Sequence, residues 1–405
     1  MCASSAECAR GPGRIVVATI LRPNGETGVQ THFNEVISGF TSLGVPISLH
    51  TPFDYTSTAV FPVFALRKLI DPLSGSLGVW WYRHWHHVFL REVLKRHLVS
   101  GDQVLIYAQC PVAAAAAVEA RVSVRQQVVM MVHYNRSQAD EWAGKGKITH
   151  GGPCYRRIKA FEGRILPQLD GIVYASEWMR QATEQDIPKV KAVPSAVIPY
   201  FIRPPRREPA EGCADLITIG TLEPRKNQSF LLRVVWEAKQ AGHIYTLDVV
   251  GDGPCLPALK ALAKALNIVD QVRFLGFRGN AAQLISGHRA YVQASIVESF
   301  CIVLIEALGA GIPAFAPAVG GIPEVFEDNS EGRYWPLDDA KLAAEILVKT
   351  LGDREAYGRM CSAARRRFLE RCSVDVGAHK LLSFFGWHSG FVVGEKQAQA
   401  FSRKT

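Results

Sequence analysis

The sequence contains no Cys-x-x-Cys pair. Its nine cysteines, Cys2, Cys8, Cys110, Cys154, Cys213, Cys255, Cys301, Cys361 and Cys372, are scattered singly. This excludes a disulfide framework or a zinc ribbon and fits a reducing compartment. Nor is there an apolar run long enough to cross a bilayer. A long apolar stretch such as IVLIEALGAGIPAFAPAVGG (302–321) is broken by Glu, Gly and Pro. The opening MCASSAECARGPG is too polar for a signal peptide. The expectation is a cytoplasmic protein that is at most peripheral at the inner face of the membrane. No GxGxxG follows the first strand-like run, because RIVVATI leads into LRPNGETG. A dinucleotide-dependent oxidoreductase is thereby disfavoured. No recognition helix or basic stripe is visible, so nucleic acid is not an expected partner.

What is present is 405 residues, 48% apolar and 20% charged. That length suits two domains, and the composition excludes wholesale disorder, collagen-like repeats and a coiled coil. The net charge is +9. Residues 1–200 hold 21 basic and 15 acidic side chains, and the rest hold 25 and 22. A basic first half would suit an anionic membrane surface or a phosphorylated substrate; solubility charge explains it equally well.

Short β-branched runs alternate with helix-length amphipathic segments. RIVVATI (14–20), QVLIY (103–107), QVVMMV (127–132) and GIVYA (171–175) read as buried parallel strands. YFIRPPRREPAEGCA (200–214) reads as an exposed linker. The rhythm restarts with LITIG (216–220), YTLDVV (245–250), QVRFLG (271–276) and AYVQA (290–294). The pattern predicts an α/β chain of two Rossmann-like, doubly wound parallel-sheet domains with the site in the cleft between them. The divisions are 1–205, 206–378 and a terminal helix with a polar tail, 379–405. That helix could pack back on the first domain.

The segment VESFCIVLIEALGAGIPAFAPAVGGIPEVFED (297–328) carries the most chemistry. The pattern places a helix start at about Ser299–Phe300, with Glu298 just before it and Glu306 inside. Eight helical steps separate the two carboxylates by roughly 12 Å. That is too far for a shared acid–base pair on one bond. It suits a grip on both ends of a polyhydroxy ligand, with the free amides of Ser299, Phe300, Cys301 and Ile302 attracting a phosphate between them. A structural helix with Glu298 as cap and Glu306 paired to a cation fits the same residues. In LITIGTLEPRKNQSFLL (216–232), Arg225 and Lys226 stand where two cations could neutralise a diphosphate, or form a solvated turn. In DVVGDGPCLPAL (248–259), Gly251 and Gly253 would let a planar group approach the backbone. His84, His86 and His87 in WWYRHWHHVFLREVLKRH (80–97) lack a second ligand group, so no metal site is expected. That segment and CYRRIKAFEGR (154–164) read as packed helices or as basic, aromatic faces for a membrane.

Taken in order, GTLEPRKN, VVGDGP, VRFLGF, ESFCIVLIE, GxGIP and GGIPEVF resemble a family-4 glycosyltransferase of the GT-B fold over 216–328. NGETGVQTHFNEVISGFTSLG (24–44) and VVMMVHYN (128–135) resemble its first turn and its histidine-bearing strand more loosely. The resemblance implies that Arg225 and Lys226 contact a donor diphosphate and stabilise its departing charge. It gives Glu298 the hydroxyls of the transferred sugar and Glu306 those of the ribose. It sets the amides at Phe300, Cys301 and Ile302 near the sugar and β-phosphate, and Phe277 and Arg278 near the base. It implies that His133 faces the sugar and acceptor, and that Gly28 lets the first turn approach the phosphates. Members retain anomeric configuration and use no metal or other cofactor for chemistry; a nucleotide sugar is the co-substrate. Thr27, Thr221 and Cys301 depart from common family residues. The GTLEPRKN form resembles members using GDP-mannose, which makes mannose the first reading of the donor; UDP-glucose and UDP-N-acetylglucosamine stay open. The implied acceptor is a growing polysaccharide or a lipid-linked oligosaccharide. The alternatives are a nucleotide-sugar epimerase and a catalytically silent scaffold of the same fold.

Overall fold

The computed structural model describes residues 13–25, 27–205 and 214–386. Cys2, Cys8, Cys213 and the polar tail 395–405 lie outside the described residues. The first sheet contains β1 (Arg14–Ala18), β2 (Ile47–His50), β3 (Val104–Ala108), β4 (Gln126–Met131), β5 (Gly171–Tyr174) and β6 (Ser195–Val197). Their spatial order is β2-β1-β3-β4-β5-β6. The second contains β7 (Leu216–Ile219), β8 (Leu247–Val250), β9 (Val272–Gly276), β10 (Ala290–Val292), β11 (Ala314–Ala316) and β12 (Gly332–Tyr334), ordered β12-β11-β10-β7-β8-β9. Every pairing is parallel.

The central strands are apolar along their length because helices cover both faces. All of β3 is buried, as is nearly all of the Ala-rich helix Pro111–Ala120 beside it. Alanine lets that helix come close to the sheet, and Cys110 caps it by accepting from the Ala113 amide. In each sheet the strand order reverses at one point: between β1 and β3, and between β7 and β10. Open parallel sheets bind ligands at such points, beyond the carboxyl ends of the strands.

Two sequence expectations need correction. The stretch 200–214 is not an exposed linker throughout, since Tyr200, Phe201 and Ile202 are buried and only 206–213 falls outside the described residues. Ile202 donates its amide to the Cys372 carbonyl and bridges to Ser373, so the outgoing and returning chain run side by side. The terminal helix begins at Val374, not at 379, and runs to Phe384. It lies on the first domain: Phe385 meets Phe40 and Tyr107 edge-on, and a Cβ at Gly171 would touch the Phe384 ring.

Candidate active site between the two sheets

The turn after β7 is a single 3-10 turn, Pro224–Lys226. Proline supplies the backbone angle at its start, and Asn227 ends it at φ 49°, a left-handed angle that asparagine tolerates. The turn delivers Arg225 and Lys226 to one carboxylate. Lys226 Nζ lies 2.5 Å from Glu298 Oε1, and Arg225 Nη1 lies 3.4 Å from Oε2. Gln293 Nε2 donates to Glu298 Oε1 at 3.0 Å and to Ser295 Oγ at 2.8 Å. Burial alone would raise the Glu298 pKa; Lys226 and then Arg225 outweigh it and hold the carboxyl below its ordinary range. Arg225 also donates to Glu223 at 2.8 Å and to the Val297 carbonyl at 3.1 Å. The two cations are therefore not a free solvated turn: half-buried themselves, they converge on the buried Glu298 carboxylate.

The helix expected at Ser299–Phe300 starts at Ile302 and ends at Ala310. Only Ile302 among the four amides assigned to its start is helical, and the eight-step helical separation of Glu298 from Glu306 does not apply. Cys301 caps the helix at φ 70°, a costly angle for a side chain, and Phe300 is buried against the Tyr200 ring. Two glycines of GGIPEVF hold this turn. A Cβ at Gly320 would lie 2.0 Å from the Glu298 carbonyl, and one at Gly321 2.0 Å from the Ser299 carbonyl. Gly251, expected near the donor, also has a packing reason to be glycine: a Cβ there would lie 2.0 Å from the Gly220 carbonyl of the neighbouring turn.

Glu306 has no hydrogen bond or ion pair among the described residues, and burial pushes its carboxyl up to about 7. It is thus not paired to a cation. Phe277 and Arg278, directly after β9, are exposed.

The first domain meets this site with β4 and its first helix. His133 Nδ1 is 2.9 Å from the Tyr200 hydroxyl, and Nε2 is 2.9 Å from Gln109 Oε1. An amide oxygen only accepts, so Nε2 carries the proton and Nδ1 accepts from Tyr200. Burial, with His32 beside it, holds His133 well below its usual pKa. Gly28 opens the helix Gly28–Ser42, capped by Thr27 through the Gln30 amide. A Cβ at Gly28 would lie 3.7 Å from Ile302, so the amino ends of two helices meet between the domains. Each end carries a partial positive charge.

Sequence reasoning missed the residues that join the halves. Ser176 Oγ donates to the Ser299 carbonyl at 2.7 Å. Glu324 accepts from the Glu177 and Trp178 amides at 2.6 and 2.9 Å, capping a helix of the other domain. Glu141, half-buried on the helix Gln138–Gly144, feels Arg225 and Glu223 across the cleft, and burial raises its pKa. Glu324 sits inside a motif that was read, while Glu141 and Tyr200 carry no sequence signal beyond following His133 and β6.

The histidine cluster disperses. His86 is buried with Nδ1 on the Tyr82 carbonyl, His84 stacks on Trp80, and His87 faces Glu119. No group of three or more His, Cys, Asp or Glu that could hold a metal ion is present among the described residues.

A family model for group 1 glycosyl transferases matches residues 204–367, and one for the glycosyl transferase 4-like domain matches 27–200. The chain is 36% identical over 125 residues to N-acetyl-alpha-D-glucosaminyl L-malate synthase of Bacillus anthracis, covering 31% of this chain and 33% of that one. It is 28% identical over 180 residues to the GDP-mannose-dependent alpha-(1-6)-phosphatidylinositol monomannoside mannosyltransferase of Mycobacterium tuberculosis, covering 42% and 46%. The match thus spans less than half the length of either relative. Anabaena HepE in complex with UDP-glucose shares the fold with a TM-score of 0.62 at 16% identity, over 91% of this chain and 98% of that one.

Proposed function

Because the chain belongs to the group 1 glycosyltransferases with a 4-like amino-terminal domain, we propose that it moves a hexose from a nucleotide diphosphate sugar to a saccharide or lipid-linked oligosaccharide, with retention of anomeric configuration. The observation that carries this reading is the Glu298 network. An ionised carboxylate is held by Lys226 and Arg225 close to where the amino ends of two helices meet. Those helix ends suit a diphosphate, and the carboxylate beside them suits sugar hydroxyls.

In this reading Glu306, half-buried and without a protein partner among the described residues, accepts from the ribose hydroxyls. The exposed Phe277 and Arg278 take the base. His133, with its protonation fixed by Gln109 and Tyr200, shapes the wall next to the sugar. The bond from the anomeric carbon to the diphosphate oxygen breaks, and its electron pair stays on the β-phosphate. The acceptor oxygen adds to that carbon from the same face and gives its proton to the departing phosphate oxygen. Arg225, Lys226 and the two helix ends stabilise the charge, so the chemistry draws on no metal. GDP-mannose is the first donor reading, in line with the GDP-mannose named for the mycobacterial relative; the UDP-glucose bound to HepE supports the UDP alternative. The proposed setting is the inner face of the membrane in polysaccharide or glycoconjugate biosynthesis.

Thermal unfolding against UDP, GDP, ADP and their sugars tests the donor site. A nucleotide at 100 times its dissociation constant stabilises by about 2.7 kcal/mol. Selective stabilisation by one base, lost in Glu306→Ala and Arg225→Ala, is expected. No response to any nucleotide overturns the reading. A first-formed product of inverted configuration overturns the front-face route alone.

A further inference from the structure

The helices Ser57–Ile70 and Gly75–His97 form an antiparallel hairpin in the first domain. Their inner faces pack together: Trp81 Nε1 donates to the Val63 carbonyl at 2.8 Å, and Phe64 stacks on His86 at 4.1 Å. The outer face is apolar where the charge pattern of a solvated helix would be expected. Phe61 and Leu69 share one stripe at i and i+8, and Leu77 and Trp80 share another at i and i+3. Leu66, Leu69, Leu73, Leu77 and Trp80 gather at the turn end of the hairpin, with Phe61 further along the first helix. Leu73 is 85% exposed, Leu69 68% and Trp80 49%. Isolated exposed leucines need no explanation, but five large apolar side chains around one turn do.

Charge singles out the occupant. Residues 55–91 contain one acidic side chain, Asp71, and it is bound to Arg67 at 3.3 Å. The neighbouring segment 142–161 has five basic residues and no acidic one. It touches the turn directly: the Lys147 carbonyl lies 2.3 Å from where a Cβ on Gly75 would be, and Cys154 Sγ is 3.8 Å from the Ser76 carbonyl. Lys68, Lys147, Arg156 and Arg157 are exposed around the apolar patch. An apolar centre with a predominantly basic rim, where Asp140 is held by Tyr155 at 2.7 Å, matches a lipid leaflet carrying anionic headgroups.

We infer that the hairpin turn, with Leu69, Leu73, Leu77 and Trp80 at its centre and the Lys147 and Arg156 segment as its rim, docks the protein on an anionic membrane surface. The sequence offered 80–97 and 154–164 as membrane faces or packed helices; Trp81, Trp85 and His86 are packed inward, so the exposed apolar surface lies at 66–80. The helix Gly75–His97 hands its C-terminus to β3, so the turn before it lies at the carboxyl edge of the sheet, the edge that carries His133. A lipid-borne acceptor would enter the cleft along this face. The docking rests on the patch alone; its use for acceptor delivery rests on the proposed transfer.

Flotation of the full chain with vesicles tests it, comparing phosphatidylcholine alone with phosphatidylcholine containing 30% phosphatidylglycerol, on the order of what gives a negative surface potential. Binding to the anionic vesicles at least about tenfold above the neutral ones is expected, falling in high salt. Leu69→Asp with Leu73→Asp, both exposed, should lose at least about tenfold of that binding without moving the thermal midpoint. Lys68→Glu with Lys147→Glu should lose the preference for anionic lipid. Equal binding by wild type and Leu69→Asp/Leu73→Asp overturns the inference, as does absence of vesicle binding. A dimer that Leu73→Asp abolishes, with no lipid binding, would assign the patch to a second copy instead. Nucleotide-dependent stabilisation, measured on the same variants, is expected unchanged; its absence in wild type would count against transfer and leave the docking result standing.

Discussion

Two carboxylates of the cleft are poised in opposite senses. Glu306 is pushed up to about 7 by burial alone, so the folded protein holds its proton more tightly than the unfolded chain does. Between the ordinary carboxylate pKa near 4.5 and about 7, stability therefore falls as pH rises, and above 7 the whole cost is present. Glu306→Gln is expected to stabilise the unliganded protein at pH 8 by about 1–3 kcal/mol and to change little at pH 4.5, which urea melts at the two pH values will read. The same variant should bind nucleotide more weakly. Glu298 runs the other way. Its folded pKa is depressed by Lys226 and Arg225 despite burial, so its contribution is present at neutral pH and is lost as pH falls below the ordinary carboxylate value. Glu298→Ala leaves Lys226 and Arg225 without their shared partner and should cost about 3 kcal/mol as well as transfer activity. A melt of Glu298→Ala indistinguishable from wild type would show that solvent replaces the carboxylate.

Among the elements, the strands that were legible are the long apolar ones. QVLIY and GIVYA are buried on both faces, so their composition alone marks them. The edge strands β2 and β6 were not legible, because they are half-buried and short. β11 is central but only three residues long, and prolines flank AFA closely enough to read as a loop. Arg225, Lys226, Glu298 and Glu306 were found because their motif order is specific. Their partners were not, because Gln293 and Gln109 look like any strand-end amide until the strands are laid side by side. The helix start was placed three residues early since nothing in ESFC announces that Cys301 takes a left-handed angle. At this scale Gly321→Ala is the informative change. Its Cβ would press on the Ser299 carbonyl, so the Glu298 turn must shift. Transfer should fall at least about a hundredfold, the scale set by misplaced catalytic geometry, while nucleotide binding persists. Steady-state kinetics beside nucleotide calorimetry will separate the two.

For the whole molecule, the contacts between domains bear on how the cleft is set. Glu324 caps the helix Glu177–Asp186 of the opposite domain with both oxygens, and Ser176 of that same helix end holds the Ser299 carbonyl. An amide in place of the carboxylate would keep one acceptor and turn an N–H group to the other backbone amide. Glu324→Gln is therefore expected to loosen the two halves, raising the radius of gyration in solution scattering and lowering kcat more than it changes nucleotide affinity. An unchanged scattering curve with unchanged kcat would show that the remaining contacts set the orientation.

The side-by-side passage of Ile202 and Ser373 has a bearing on how the protein is made. The second half is in effect an insertion into the first, whose core is covered by the last helix through Ala378, Leu381 and Phe384, and by Phe385. During synthesis the amino-terminal sheet emerges first, with its surface at Gly171 and Tyr107 uncovered. It must wait, open, while the entire second sheet is translated. A chaperone that shelters nascent chains would find its window there. Termination just before the last helix would leave the second sheet complete and the first without its cover.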